Sequence, residues 1–193
     1  MPSQITAQLY TLREFLKTPA DIAATMKRVR EIGYETVQLS GLGTIMPLEL
    51  KRILDGEGLR AVITHVPVTR LLNDFDALVD EHKLWNCPNV AIGSMPPEYR
   101  TSKDGYISFA GVASELAHKL KEHDLTFSYH NHSFEFAKFD GKTGLAWFYE
   151  KADPLVQAEI DTYWVQHGGG DPADWCACMK NRMPVVHVKD MVI

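Results

Sequence analysis

The chain turns on Phe127-Ser128-Tyr129-His130-Asn131-His132-Ser133-Phe134-Glu135-Phe136. Side chains alternate faces along a strand. A strand here sets His130 and His132 on one side and Tyr129 and Asn131 on the other. Two later stretches repeat the arrangement. Glu159-Ile160-Asp161 sets two carboxylates on one strand face, and His187-Val188-Lys189 sets an imidazole and an ammonium on the next. Buried charge is costly unless it is paired or bound to a metal. Three consecutive polar strand pairs therefore point to one shared polar site.

Upstream, the pattern alternates between strand and helix. Ile5 to Leu12 reads as a first strand with Gln8 and Tyr10 on one face. Pro19 and Asp21 open a helix that Gly33 stops. Thr36 to Ser40 is a strand, Pro47 to about Gly56 a helix, Ala61 to Val66 a strand, Leu71 to Trp85 a helix and Asn89 to Gly93 a strand. Ile107 to His123 is the longest helix. Downstream, Gly144 to Ala152 is helical, Val156 to Thr162 a strand, Pro172 to about Lys180 a helix and Val185 to Met191 a strand. Strands recur every 25 to 35 residues or so with a helix in each gap, which argues for a parallel sheet with crossover helices. About seven such strands are one short of the eight that close a barrel. The expected fold is α/β, a (β/α) TIM barrel in one domain over residues 1–193, incomplete at its C-terminus for want of the eighth strand. Two unpaired strand edges would follow, so the isolated chain is expected to be poorly stable or to associate through the gap, as a homo-oligomer or with a partner.

In parallel barrels the reactive groups sit at the C-terminal strand ends, where the three polar pairs lie. Imidazoles and carboxylates together form a mixed nitrogen and oxygen set, suited to Mn, Co, Zn or Fe better than to calcium. Such an ion polarises a carbonyl or hydroxyl as a Lewis acid. Lys189 beside it would neutralise charge on a substrate oxygen, and His65, ending the third strand, would face the same pocket. Plainer readings stand beside these. His65 reads equally well as a satisfied polar residue, Lys189 and Asp190 as a surface pair, and Glu159 as a partner of Lys189. His167-Gly168-Gly169-Gly170 lacks the spacing and lysine of a nucleotide loop and reads as a flexible turn. Tyr10, Tyr163 and Trp164 suit sugar stacking or core packing alike.

Bulk properties narrow the field. The 193 residues, 45% of them hydrophobic, supply one sizeable core. The net charge of −5 is spread along the chain without a basic run, which argues against nucleic acid as a partner. Met1 to Leu9 lacks the features of a signal peptide, and no stretch reaches the length of a membrane span. Cys87, Cys176 and Cys178 read as reduced thiols. A cytoplasmic location is expected, with no membrane partner.

Tyr129-His130-Asn131-His132 with Phe134-Glu135-Phe136, then Glu159 to Val165, then Val186-His187-Val188-Lys189-Asp190-Met191, resemble the sugar phosphate isomerase/epimerase family. That family lies in the xylose isomerase-like TIM-barrel superfamily, with the inosose dehydratases and family 2 AP endonucleases. Gln8 to Arg13 looks like the family's first strand. The resemblance implies one divalent cation, manganese foremost, with cobalt, magnesium, zinc and iron as alternatives. It would be bound by Glu, Asp, His and Glu from the fifth to eighth strands. Position by position, Asp161 matches the aspartate and His187 the histidine. The family's Glu-x-His falls on His130-Asn131-His132, so the fifth-strand ligand is either His130 or Glu135 reaching back from the loop. The eighth-strand glutamate has no counterpart. The two glutamates that exchange the substrate proton in the epimerases are thus both absent.

The function expected is isomerisation or epimerisation of a sugar or keto-sugar by proton transfer next to a carbonyl. His130, Asp161 and His187 would hold the metal, His132 or Glu135 would move the proton, and His65, Glu159 and Lys189 would bind substrate. Alternatives are a dehydratase or lyase of the same superfamily, an inactive fragment, and a non-catalytic sugar-binding or partner subunit. An AP endonuclease fits poorly, since the acidic chain offers no basic surface.

Overall fold

The capping chemistry of the first helix shows how closely local sequence dictates this structure, a computed structural model that describes residues 5–190. In α1 (Pro19–Ile32) the Thr18 hydroxyl accepts from the Asp21 N–H, the Asp21 carboxylate accepts from the Thr18 N–H, and Pro19 takes the first turn. This reciprocal pairing satisfies two backbone donors that a helix start otherwise leaves open. Gly33 ends the helix at φ 114°, in the left-handed region open to glycine. For α2 (Pro47–Glu57) the stop is Gly58, at φ 63°, with Gly56 inside the helix.

Seven strands in chain order make up the parallel sheet. They are β1 (Ala7–Gln8), β2 (Thr36–Leu39), β3 (Arg60–Val66), β4 (Asn89–Ile92), β5 (Thr126–His130), β8 (Val156–Asp161) and β9 (Val185–His187), with β6 (Lys138–Phe139) and β7 (Lys142–Thr143) forming a separate antiparallel hairpin. The helices between them are α1, α2, α3 (Val68–Asn73), α4 (Phe75–Trp85), α5 (Lys103–Lys121), α6 (Gly144–Lys151), α7 (Thr162–His167) and α8 (Pro172–Cys178). The strand-and-helix alternation expected from the sequence is the alternation observed. No helix among the described residues is long and apolar enough to cross a membrane.

Two compact units divide at Val90 and Ala91, within β4. In the first, β1, β2 and β3 pair in parallel. Leu9, Leu16, Ile22, Met26, Val37, Leu50 and Leu54 pack as its core. Two local expectations fail here. The first strand is only Ala7–Gln8, because the Gln8 side chain accepts from the Tyr10 N–H and starts a 3-10 helix over Leu9–Phe15. Tyr10 is thereby exposed, under the Arg13 guanidinium. The helix expected over 71–85 is two, broken at Asp74 between α3 and α4.

In the second unit β5, β8 and β9 pair in parallel. Behind β5 lies an aromatic core: the Tyr129 ring centroid is 4.6 Å from Phe148 and 6.2 Å from Phe109. Burying each such side chain contributes about 1.5–3 kcal/mol, enough to hold β5 in register. The strand expected through Phe136 ends at His130, and Phe134–Phe136 is a turn of 3-10 helix. Asp140 and Gly141, at φ 50° and 81°, make the tight turn of the β6–β7 hairpin. The last strand is Val185–His187; Met191, in the expected span, lies outside the described residues.

Candidate metal centre

His130, Asp161 and His187 are each the last residue of a strand, β5, β8 and β9 respectively. The ladders line these ends up: His130 pairs with Glu159, and Asp161 with His187. Asp161 is fully buried, and its Oδ2 lies 3.2 Å from His130 Nε2 and 3.3 Å from His187 Nδ1. Lys189 Nζ approaches the same oxygen at 3.1 Å. Its other oxygen accepts from the Trp164 N–H, so Asp161 also caps α7.

The neighbours decide which ring nitrogen faces the site. His130 Nδ1 is 3.1 Å from the carbonyl of Gly93, which can only accept. His130 therefore carries hydrogen on Nδ1, and Nε2 is the atom turned to Asp161. His187 Nε2 lies 2.9 Å from the buried Glu159 Oε1, leaving Nδ1 toward Asp161. Metal-binding histidines are oriented in this way, by a carboxylate or carbonyl on the far nitrogen. Burial pulls the His187 imidazole down, but its hydrogen bonds to Asp161 and Glu159 and their charges outweigh that and push it up to about 9. Burial raises the Asp161 carboxyl, yet hydrogen bonds from His130 and His187 hold it far below the usual carboxylate range.

The donor set fits a divalent ion. His130, Asp161 and His187 each offer one ligand atom, all within 4.8 Å of one another. Bonds of about 2.0–2.2 Å to an ion place neighbouring donors about 3.0–3.5 Å apart, which spans the two distances measured to Asp161.

The other expected site residues are placed as follows. The His132 ring packs 4.9 Å from that of His130 and 5.1 Å from that of Trp164. Glu135 is fully buried; its Oε1 accepts from the Tyr129 hydroxyl at 2.6 Å and its Oε2 from the His132 N–H at 2.9 Å. Both its oxygens are thus occupied by the loop and strand it braces, rather than turned to an ion. Burial pushes its carboxyl up to about 7, against the pull of those two hydrogen bonds. Glu159 stands behind His187. His65, in the first unit, lies with Nδ1 3.3 Å from Ser40 Oγ and lines a cavity of about 290 Å³ with Thr64, Arg70, Glu81 and Trp85.

Sequence reasoning passed over three supports. Asn131 Oδ1 accepts from the Asp161 N–H, fixing β5 to β8 at the site. The Thr162 hydroxyl accepts from the Lys189 N–H and reaches the carbonyls of His187 and Lys189. The Gly93 carbonyl is invisible to residue type. Only Asn131 carried a signal, as a buried amide beside the histidines.

No family model matches the chain, and no curated protein matches it. Solved structures do. Two of a sugar phosphate isomerase/epimerase from Parabacteroides distasonis, each 23% identical, superpose over 98% of this chain with TM-scores of 0.83 and 0.84; they are covered over 76% and 80% of their own lengths. The fold is that of the xylose isomerase-like TIM barrels. A xylose isomerase-like barrel protein from Mycobacterium smegmatis in complex with magnesium, 13% identical, matches 98% of this chain and 75% of its own with a TM-score of 0.72. In such a barrel the C-terminal strand ends are where chemistry is built, and those are the ends that carry His130, Asp161 and His187.

Proposed function

We propose that the protein is a divalent-metal-dependent isomerase or epimerase of a sugar or keto-sugar, working by proton transfer next to a carbonyl. The observation that carries this reading is the convergence of His130 Nε2 and His187 Nδ1 on one buried oxygen of Asp161. These three atoms would hold the ion, with Glu159 and Gly93 keeping the two rings turned inward. When bound, the ion supplies a Lewis acid for a carbonyl oxygen, which acidifies the adjacent C–H. The names of the Parabacteroides and Mycobacterium structures support a sugar substrate and a divalent ion.

The rest falls to the chain's own groups. His132, whose ring packs against those of His130 and Trp164, would take and return the substrate proton, histidine being the side chain that most often does so. Glu135 holds the His132 backbone and is a positioning residue. The half-buried rings of Tyr163 and Trp164, with the Lys189 ammonium 4.9 and 5.2 Å from their centroids, would offer a wall on which a sugar ring stacks.

The experiment is proton exchange from deuterated water into a panel of keto-sugars, with Mn, Co, Zn, Fe or Mg added in turn, alongside metal analysis of His187→Ala. Exchange that needs the metal and disappears in the variant supports the reading. Unchanged metal content and turnover in His187→Ala would sink it.

A further inference from the structure

Lys189 ends at the one oxygen the metal needs. Asp161 Oδ2 has three nitrogen groups around it: His130 Nε2 at 3.2 Å, His187 Nδ1 at 3.3 Å and Lys189 Nζ at 3.1 Å. The two imidazoles belong to the ligand set proposed above. An ammonium does not; it has no lone pair to give, and its charge repels a divalent cation held by the same carboxylate.

We propose that Lys189 is the internal counter-ion of the ion-free site, holding Asp161 until a divalent cation displaces it. The inference rests on the metal site proposed above. Asp161 is a carboxylate whose side chain is only 1% exposed, and a buried charge left without a partner is strongly disfavoured. Beside the His187 imidazole already paired with Asp161, Lys189 adds a permanent positive charge, from a side chain that is 44% exposed and so has room to leave. Its backbone is pinned, the N–H donating to the Thr162 hydroxyl and the carbonyl accepting from it, both at 3.0 Å. Displacement is therefore a swing of the flexible four-carbon stem, not of the strand. A second seat is within reach: the ammonium already lies 4.9 Å from the Tyr163 ring centroid and 5.2 Å from that of Trp164, and aromatic faces attract cations. The exchange keeps Asp161 paired at every stage, at the cost of weaker metal binding.

The test titrates ion-free protein with Co²⁺, read by calorimetry and by the visible absorption of the bound ion, for wild type, Lys189→Met, Lys189→Gln and His187→Ala. Removing the competing charge is expected to tighten Co²⁺ binding about tenfold in both lysine variants. The gap should narrow in high salt, which screens the partly exposed ammonium. His187→Ala is expected to lose the absorption. Equal or weaker Co²⁺ binding in both lysine variants, with His187→Ala defective, overturns the role of Lys189 and leaves the metal site standing. No binding by wild type overturns both. Circular dichroism of each variant shows that the comparison is between folded proteins.

Discussion

Asp161 and His187 face each other across the β8–β9 ladder, and the Nδ1 of the imidazole stands 3.3 Å from the Oδ2 of the carboxylate. That pairing is a product of strand register. A slip of one residue in β9 would turn His187 to the face opposite Asp161, so the sheet's hydrogen bonds and the site's chemistry are decided together.

The pair also sets a pH dependence for the ion-free protein. His187 has a folded-state pKa of about 9, above the ordinary imidazole value. Its stabilising contribution is fully present below about pH 6.5 and is lost as pH rises through 9, a change on the order of 3 kcal/mol. Urea unfolding of metal-free wild type and His187→Ala across pH 6 to 10 checks this. The wild-type advantage should shrink with rising pH; a constant difference would contradict it.

Glu159 touches the site through His187, whose Nε2 is 2.9 Å away. Glu159→Ala leaves that nitrogen without the carboxylate that orients the ring. Divalent-ion affinity is expected to fall about 10- to 100-fold, the usual cost of losing such a support. Competition with a coloured chelator measures it, and unchanged affinity would mean that Glu159 does not orient the ligand.

Glu135 predicts a second pH effect. Its buried carboxyl is pushed up to about 7, so its contribution is fully present below about pH 4.5 and is lost as pH rises through 7. The loss is roughly 3 kcal/mol. Glu135→Gln, which cannot ionise, should be less stable than wild type at pH 5, where an oxygen acceptor is missing from the Tyr129 and His132 pair. It should gain on wild type by pH 8. Parallel stability curves for the two proteins would refute this.

Two imidazoles and one carboxylate would make the proposed ligand set softer than an all-oxygen site. Affinity is expected to favour Zn²⁺, Co²⁺ and Fe²⁺ over Mn²⁺, and Mn²⁺ over Mg²⁺, because nitrogen donors suit the later transition ions and magnesium prefers oxygen. Thermal shifts with each chloride salt rank them. A larger shift with Mg²⁺ than with Zn²⁺ or Co²⁺ would reject the nitrogen-rich set.

The helix stops and starts were legible because they are local. Thr18, Pro19, Asp21 and Gly33 act within a few residues of one another, and the structure uses all four. The β5, β8 and β9 strands were legible from their apolar runs, and their polar ends from residue type. Their limits were not. His130 closes β5 because Glu135 draws the next turn back onto Tyr129 and the His132 N–H, a contact no alternation of residues announces.

The sequence by itself determined the order of strands and helices, and which imidazoles and carboxylates stand at strand ends, since hydrophobic period and capping are short-range effects. Tertiary structure alone decided which of those groups meet. Register set Asp161 between His130 and His187, the Gly93 carbonyl and the Glu159 carboxylate chose the nitrogen each ring presents, and Glu135 was turned away to Tyr129. Convergence of this kind depends on hydrogen bonds between residues some 26 to 37 apart in the chain, which only the assembled sheet brings within reach.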